Sequence, residues 1–296
     1  MAAEAGPVRV VLCADDFAMH PAIDDAVIQL ARQGRLSATS CMTTSPRWTE
    51  AARTLADAPP ALSTGLHLNL TEGHGSEAPT LGAVLIDAYA RRLDGARITQ
   101  TIIRQLGDFE HAMQRAPDFI DGHQHVHQLP VVRDALLAVL AGRYPTATDA
   151  PSIRATVPAR WQWGAGKAGV LALLGGLRFR GQLAGRGLRH NSGFAGVYGF
   201  DAATPTDYGR HMDRWLAGCE DGTLMMCHPA TALVTGDAIA AARVVEFGYL
   251  ASDAFDESLR TYGVSLSGCP EARQRSRGSS GTSPPASAPS LPTAPR

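Results

Sequence analysis

The stretch Val8-Arg9-Val10-Val11-Leu12-Cys13-Ala14-Asp15-Asp16-Phe17 makes two statements at once. Val8–Ala14 is a short apolar run rich in valine, without the alternation of a strand that has one wet face. Such a run describes a strand covered on both sides, as in a parallel sheet. It then stops at two adjacent carboxylates, which are costly to bury unless paired, hydrogen-bonded or bound to a metal. Aspartate is also a common helix cap, so this pair does not by itself decide between turn and site.

Working outward, Pro21 opens a segment with Ile23, Val27, Leu30 and Ala31 on one helical face, closed by Gly34. Leu36–Met42 reads as a second strand, Arg47–Ala58 as a helix and Leu62–Leu70 as a third strand, followed by a polar, glycine-rich loop through Pro79. Ile98, Ile102, Leu106, Phe109 and Met113 recur at helical spacing. Phe119–Gly122 is another short strand, and Val131–Leu140 a helix introduced by Pro130. Further on come a helix near Tyr208–Leu216, a strand at Leu224–Cys227, a helix near Ser252–Tyr262 and a strand near Val264–Leu266. Strand and helix alternate, the pattern of a parallel α/β architecture. The pattern fades between about 152 and 200, where Gly164–Gly199 is crowded with glycine and arginine, so this part is expected to be a long excursion over the main domain. Residues 1–267 are expected to form one catalytic domain. Residues 268–296, almost all Ser, Pro, Ala, Gly and Arg, have too little to bury and are expected to be a disordered tail.

The chain has 296 residues, 45% hydrophobic and 19% charged, enough for a large core. Its 27 basic and 28 acidic residues nearly balance, which gives no electrostatic reason to expect nucleic acid as partner. Cys13, Cys41, Cys219, Cys227 and Cys269 are odd in number and lack a C-x-x-C pair, as in a reducing compartment. No apolar run is long enough to span a bilayer or resembles a signal peptide. A cytoplasmic location is therefore expected, with oligomeric state open and a homodimer allowed.

Four clusters fall at the ends of expected strands, where parallel α/β barrels gather their functional groups. They are Ala14-Asp15-Asp16-Phe17, Gly65-Leu66-His67-Leu68-Asn69-Leu70, Asp121-Gly122-His123-Gln124-His125-Val126-His127 and Met226-Cys227-His228-Pro229. In the second, His67 and Asn69 share one face while the leucines share the other. In the third, an extended chain would send His123, His125 and His127 to one side, and imidazole is the commonest metal ligand. One carboxylate and two histidines leave coordination positions open for water and substrate. A second carboxylate can act as base and a distant histidine as acid. This points to metal-assisted hydrolysis without naming a substrate.

With these four motifs in this order, the sequence resembles the YdjC-like carbohydrate deacetylases, the ChbG/HpnK group, over residues 8–267. The resemblance implies an irregular, TIM-barrel-like (β/α) barrel, one divalent metal, and removal of acetyl groups from N-acetylglucosamine units of chito-oligosaccharides or related glycans. It implies Asp16, His67 and His123 as metal ligands, Asp15 as general base and His228 as general acid. His125, His127, Asn69 and Arg154 are expected near a small N-acetylated sugar substrate. Magnesium is the first expectation for the metal, with zinc, manganese and cobalt as alternatives. Ala18 stands where the family often has glycine. Two other readings compete: a metallohydrolase acting on a different amide or a phosphoester, and a non-catalytic sugar- or metal-binding protein.

Overall fold

A computed structural model describes residues 6–56, 58–158 and 166–269. Strand β1 (Val8–Phe17) is buried from Val10 onward and forms the spine of an all-parallel sheet. Its upper half, Cys13–Phe17, pairs with β2 (Ala38–Cys41), and Val8–Val10 pairs with β8 (Val264–Leu266). The strand order runs β5 (Ser152–Ile153), β4 (Phe119–Gly122), β3 (Ser63–Leu68), β2, β1, β7 (Thr223–Cys227), β6 (Phe194–Ala195). Parallel bridges Ile153–His190 and Pro158–Phe194 bring the two edges together, so the sheet curls into an irregular barrel.

Helices cover the outside. They are α1 (Pro21–Arg32), α2 (Trp48–Leu55), α3 (Leu81–Tyr89), α4 (Gly95–Met113), α5 (Val132–Arg143), α6 (Lys167–Leu171), α7 (Leu177–Gly185), α8 (Pro205–Leu216), α9 (Ala240–Leu250) and α10 (Asp253–Thr261). Local chemistry sets their starts. Asp94 caps α4 by accepting from the amides of Ala96 and Arg97, and Thr204 with Asp207 forms a capping box on α8. The apolar faces of these helices merge with the outward side of the sheet in one large core that includes Leu12, Phe17, Leu66, Phe109, Leu136 and Tyr208. A smaller cluster of Val11, Cys13, Phe119, Phe194 and Met226 fills the barrel interior beneath the cleft.

The expected excursion is not featureless. It supplies β5 and β6 to the sheet, while α6, a π-type turn at Ala172–Gly176 and α7 form a ledge beside the mouth. The chain stays packed past the expected boundary at 267: Cys269 is buried and its amide donates to Ser63 Oγ at 2.9 Å. The rest of the expected tail lies outside the described residues. Among the described residues no helix is long and apolar enough to cross a membrane.

Candidate active site

Both carboxylates at the end of β1 face one cleft of about 930 Å³. In an unbroken strand, neighbours point to opposite faces. Here the register slips between Ala14 and Phe17, and Asp16 and Ala18 take left-handed backbone, φ 69° and 76°. This bulge re-aims Asp16. The left-handed conformation at Ala18 is one that glycine adopts more readily than alanine.

Asp16 and Asp15 then part company. Asp16 Oδ1 lies 2.9 Å from His123 Nδ1 and 3.2 Å from His67 Nε2. Its Oδ2 accepts from Arg243 of α9 at 2.6 Å. Asp15 is gripped by both terminal nitrogens of Arg154, at 2.6 and 2.7 Å, and its Oδ2 is 3.9 Å from His228 Nε2. Burial pushes the Asp15 carboxyl up, but Arg154, with help from His67 and His228, holds it well below the usual carboxylate range. Asp15 is therefore ionised.

His67 is oriented from behind. Its Nδ1 lies 2.7 Å from Asp121 Oδ1 and 3.0 Å from Ser40 Oγ, and Ser40 also donates to Asp121, so Nε2 is turned toward Asp16. Burial disfavours charge on this ring, yet Asp121, Asp16 and Asp15 outweigh it and raise its pKa to about 10. Asp16 Oδ1, His67 Nε2 and His123 Nδ1 converge as a carboxylate–imidazole group with ligand atoms all within 4.8 Å of one another. Among the described residues, Asp15, Asp16, Asp121 and Asp237 share only Arg154 and Arg243 as buried guanidinium partners. With His67 neutral, as a metal ligand must be, four carboxylates against two guanidiniums leave two negative charges in excess, so donor set and charge both fit a divalent cation. A second converging group, Cys13, Asp15 and Asp121, has no such room, because the Arg154 guanidinium sits within it.

The histidine cluster does not extend as expected. The strand ends at Gly122, and a 3₁₀ turn with left-handed Gln124 and His125 sends the rings apart. His123 goes to Asp16. His125 lines the cleft, edge-on to Phe194, and burial with the charge of Arg154 keeps it neutral. His127 turns inward, fully buried, its Nε2 2.9 Å from the Arg154 carbonyl, away from the cleft. Asn69 uses its side chain to tie the loop, accepting from the amides of Thr71 and Glu72 and donating to Thr44 and the Glu72 carbonyl. Arg154 lies beneath the carboxylates, 1% exposed, rather than at the substrate surface. Of the four residues expected near substrate, only His125 faces the cleft.

Arg243 and Glu246 escaped the sequence reading, and Asp121, quoted there within the histidine motif, had no role assigned. Arg243 fixes Asp16, and Glu246, three residues on, accepts from the His228 amide and from Tyr198 Oη, setting the loop after β7. Asp121 orients His67. The available signal was an arginine and a glutamate on one face of the otherwise apolar segment Ala240–Leu250.

A profile of the YdjC-like protein family matches residues 9–261. The chain belongs to the YdjC-like family. Relatives within reach of this sequence include a human protein named carbohydrate deacetylase, 29% identical over 251 residues and covering 75% of each chain. A Yersinia enterocolitica protein named chitooligosaccharide deacetylase is 31% identical over 132 residues, 42% of this chain and 52% of the other. A crystal structure from Enterococcus faecalis V583, provisionally described as a cellobiose-phosphate cleavage protein, superposes with a TM-score of 0.66 at 17% identity, over 89% of this chain and 98% of that one. At that identity the match speaks for the fold. The Asp15–Asp16, His67, Asp121–His123 and His228 positions of this YdjC-like chain all fall within the matched span.

Proposed function

We propose that this protein is a metal-dependent deacetylase that hydrolyses the acetamide of N-acetylated sugars. The observation that carries the reading is the division of labour between neighbours. Asp16 converges with His67 and His123, while ionised Asp15 stands free of that group with His228 at its side. Asp16, His67 and His123 would hold one divalent cation, with magnesium, zinc, manganese or cobalt all compatible with an oxygen and nitrogen donor set. Such a cation supplies Lewis acidity toward the acetyl carbonyl and lowers the pKa of water.

The chain's own groups do the rest. Asp15 accepts the proton of the attacking water, and Arg154 keeps that carboxylate ionised and aimed. His228, anchored through its amide by Glu246 and flanked edge-on by Phe200, gives a proton to the departing nitrogen. His125 and the apolar walls formed by Met19, Leu171 and Val197 bound the space for the sugar. The names carried by family relatives support a carbohydrate amide as the substrate class. Acetate release from N-acetylated chito-oligosaccharides, run beside phosphate release from sugar phosphates, tests the reading. Turnover of the phosphoester and not of the amide would replace it with a different metallohydrolase.

A further inference from the structure

Residues 151–200 contain seven arginines and lysines and no aspartate or glutamate. Arg154 among them is taken up by Asp15 and Asp121, while Lys167, Arg178 and Arg186 are exposed, a local bias that the near-neutral total charge conceals. Part of that run is the ledge α6–α7 beside the cleft, and its outer side is greasy. Val170, Leu173 and Leu177, spaced by three and four, are 54, 72 and 37% exposed. Leu173 is the most exposed large apolar side chain among the described residues. Across the same cleft, whose lining includes Leu81 at the start of α3 as well as Val170 and Leu174, α3 presents Ile86 and Tyr89, 61 and 48% exposed. Arg133 ties the two elements together. Arg133 itself is buried, with its Nε 3.7 Å from Asp134, and burial lowers its pKa while Asp134 opposes that and Arg178 and Arg91 add to it, so the cations left outward beside these apolar side chains are Arg178 and Arg91.

The exposure does not come from a loosely held segment. Gln128 Nε2 donates to the carbonyls of Leu171 and Leu174, at 3.1 and 3.3 Å. Gly175, at φ 110°, sits so close to the barrel that a Cβ would come within 2.7 Å of the Gln128 carbonyl oxygen. The ledge is thus seated firmly against the histidine turn, with its apolar and cationic side left outward.

We propose that the α6–α7 ledge, with the end of α3, docks the protein on anionic lipid bilayers. Leu173 and Leu177 enter the headgroup layer, and Arg178 and its neighbours meet lipid phosphates. Large apolar groups interleaved with cations are the composition of an interfacial helix. A second copy of the chain fits the patch poorly, because a two-fold contact would bring its positive charge against itself. An anionic bilayer satisfies both halves of the patch. Since Val170 and Lys167 also line the cleft, docking would set the cleft mouth at the membrane surface.

Flotation of the full-length protein tests this, using phosphatidylcholine vesicles with and without about 30% phosphatidylglycerol, at about 0.1 and about 0.5 M salt. The protein is expected to float with the anionic vesicles only, and less at high salt. Leu173→Ser/Leu177→Ser and Arg178→Glu/Arg186→Glu should each lower binding about tenfold, with unchanged circular dichroism and unchanged turnover of a soluble substrate. Three results would overturn the proposal. One is no binding of wild type to anionic vesicles. Another is binding that both variants retain in full, which assigns it elsewhere, for example to the arginines beyond residue 270. The third is a dimer by light scattering that the leucine variant dissolves, which assigns the patch to a second copy.

Discussion

Replacing Arg154 by methionine keeps the apolar stem of the side chain and deletes the guanidinium with its charge. The wild-type guanidinium lies 2.6 and 2.7 Å from the Asp15 oxygens and 2.5 Å from Asp121 Oδ2, and all three side chains are at most 3% exposed. Removing one partner of a buried ion pair typically costs about 3–5 kcal/mol. Asp121 keeps Ser40 and His67, so Asp15 bears most of the loss, and about 4 kcal/mol is the expected figure. For a chain of this size that lowers Tm by roughly 10 °C. The pH dependence carries a sign. In wild type the folded pKa of Asp15 is depressed, so its stabilisation is present above the unfolded value and fades as pH falls through the folded one. Without Arg154, burial dominates and the folded pKa rises above the unfolded value of about 3.9. The variant is then penalised most at neutral pH and relieved on acidification. Melting curves of the two proteins from about pH 8 to about pH 5 should therefore converge toward the acid side. The acid limb of kcat/KM should move upward in the variant. Equal Tm values at pH 7, or a gap that widens on acidification, would refute the electrostatic account of Arg154.

Other consequences are sharp enough to measure. Asp15→Asn should bind metal normally by elemental analysis while losing about two to four orders of magnitude in kcat. In the metal-free protein His67 keeps a proton up to a pKa of about 10, so metal binding at neutral pH must expel it. Apparent metal affinity should rise with pH up to that value, and calorimetry in buffers of different ionisation enthalpy should report about one proton released. Truncation after Cys269 should leave Tm within about 1 °C, because the removed residues carry little to bury. Truncation after Ser267 should lower it measurably, through loss of the buried Cys269 and its bond to Ser63.

The sheet was legible because its strands obey simple patterns. The run Val8–Ala14, the leucines of β3 and the terminal strand at Val264–Leu266 stand where the sequence reading put them. Helix α9 was not legible, since its buried face carries Arg243 and Glu246, and those charges erase the apolar stripe that announces a helix. Helix α3 escaped for the opposite reason: its apolar residues are not confined to one side, with Ile86 and Tyr89 exposed. The strand-end location of the site could be read, but not its geometry. Alternation predicts that Asp15 and Asp16 diverge, whereas the bulge turns both into one cleft and gives them different partners. Alternation also groups the three histidines, whereas left-handed Gln124 and His125 scatter them. Bulges and left-handed turns follow from tertiary contacts that no periodicity reports.

The proposed reaction is hydrolysis of a sugar acetamide at Asp15 with a cation on Asp16, His67 and His123. Its most direct test is acetate release from diacetylchitobiose by protein stripped with EDTA and then titrated with divalent metal, beside His123→Ala treated identically. Wild type is predicted to be inactive when stripped and to recover as about one equivalent of metal is added. His123→Ala is predicted to stay inactive at that stoichiometry. Acetate released at the same rate by stripped wild type, or by metal-titrated His123→Ala, would contradict the account.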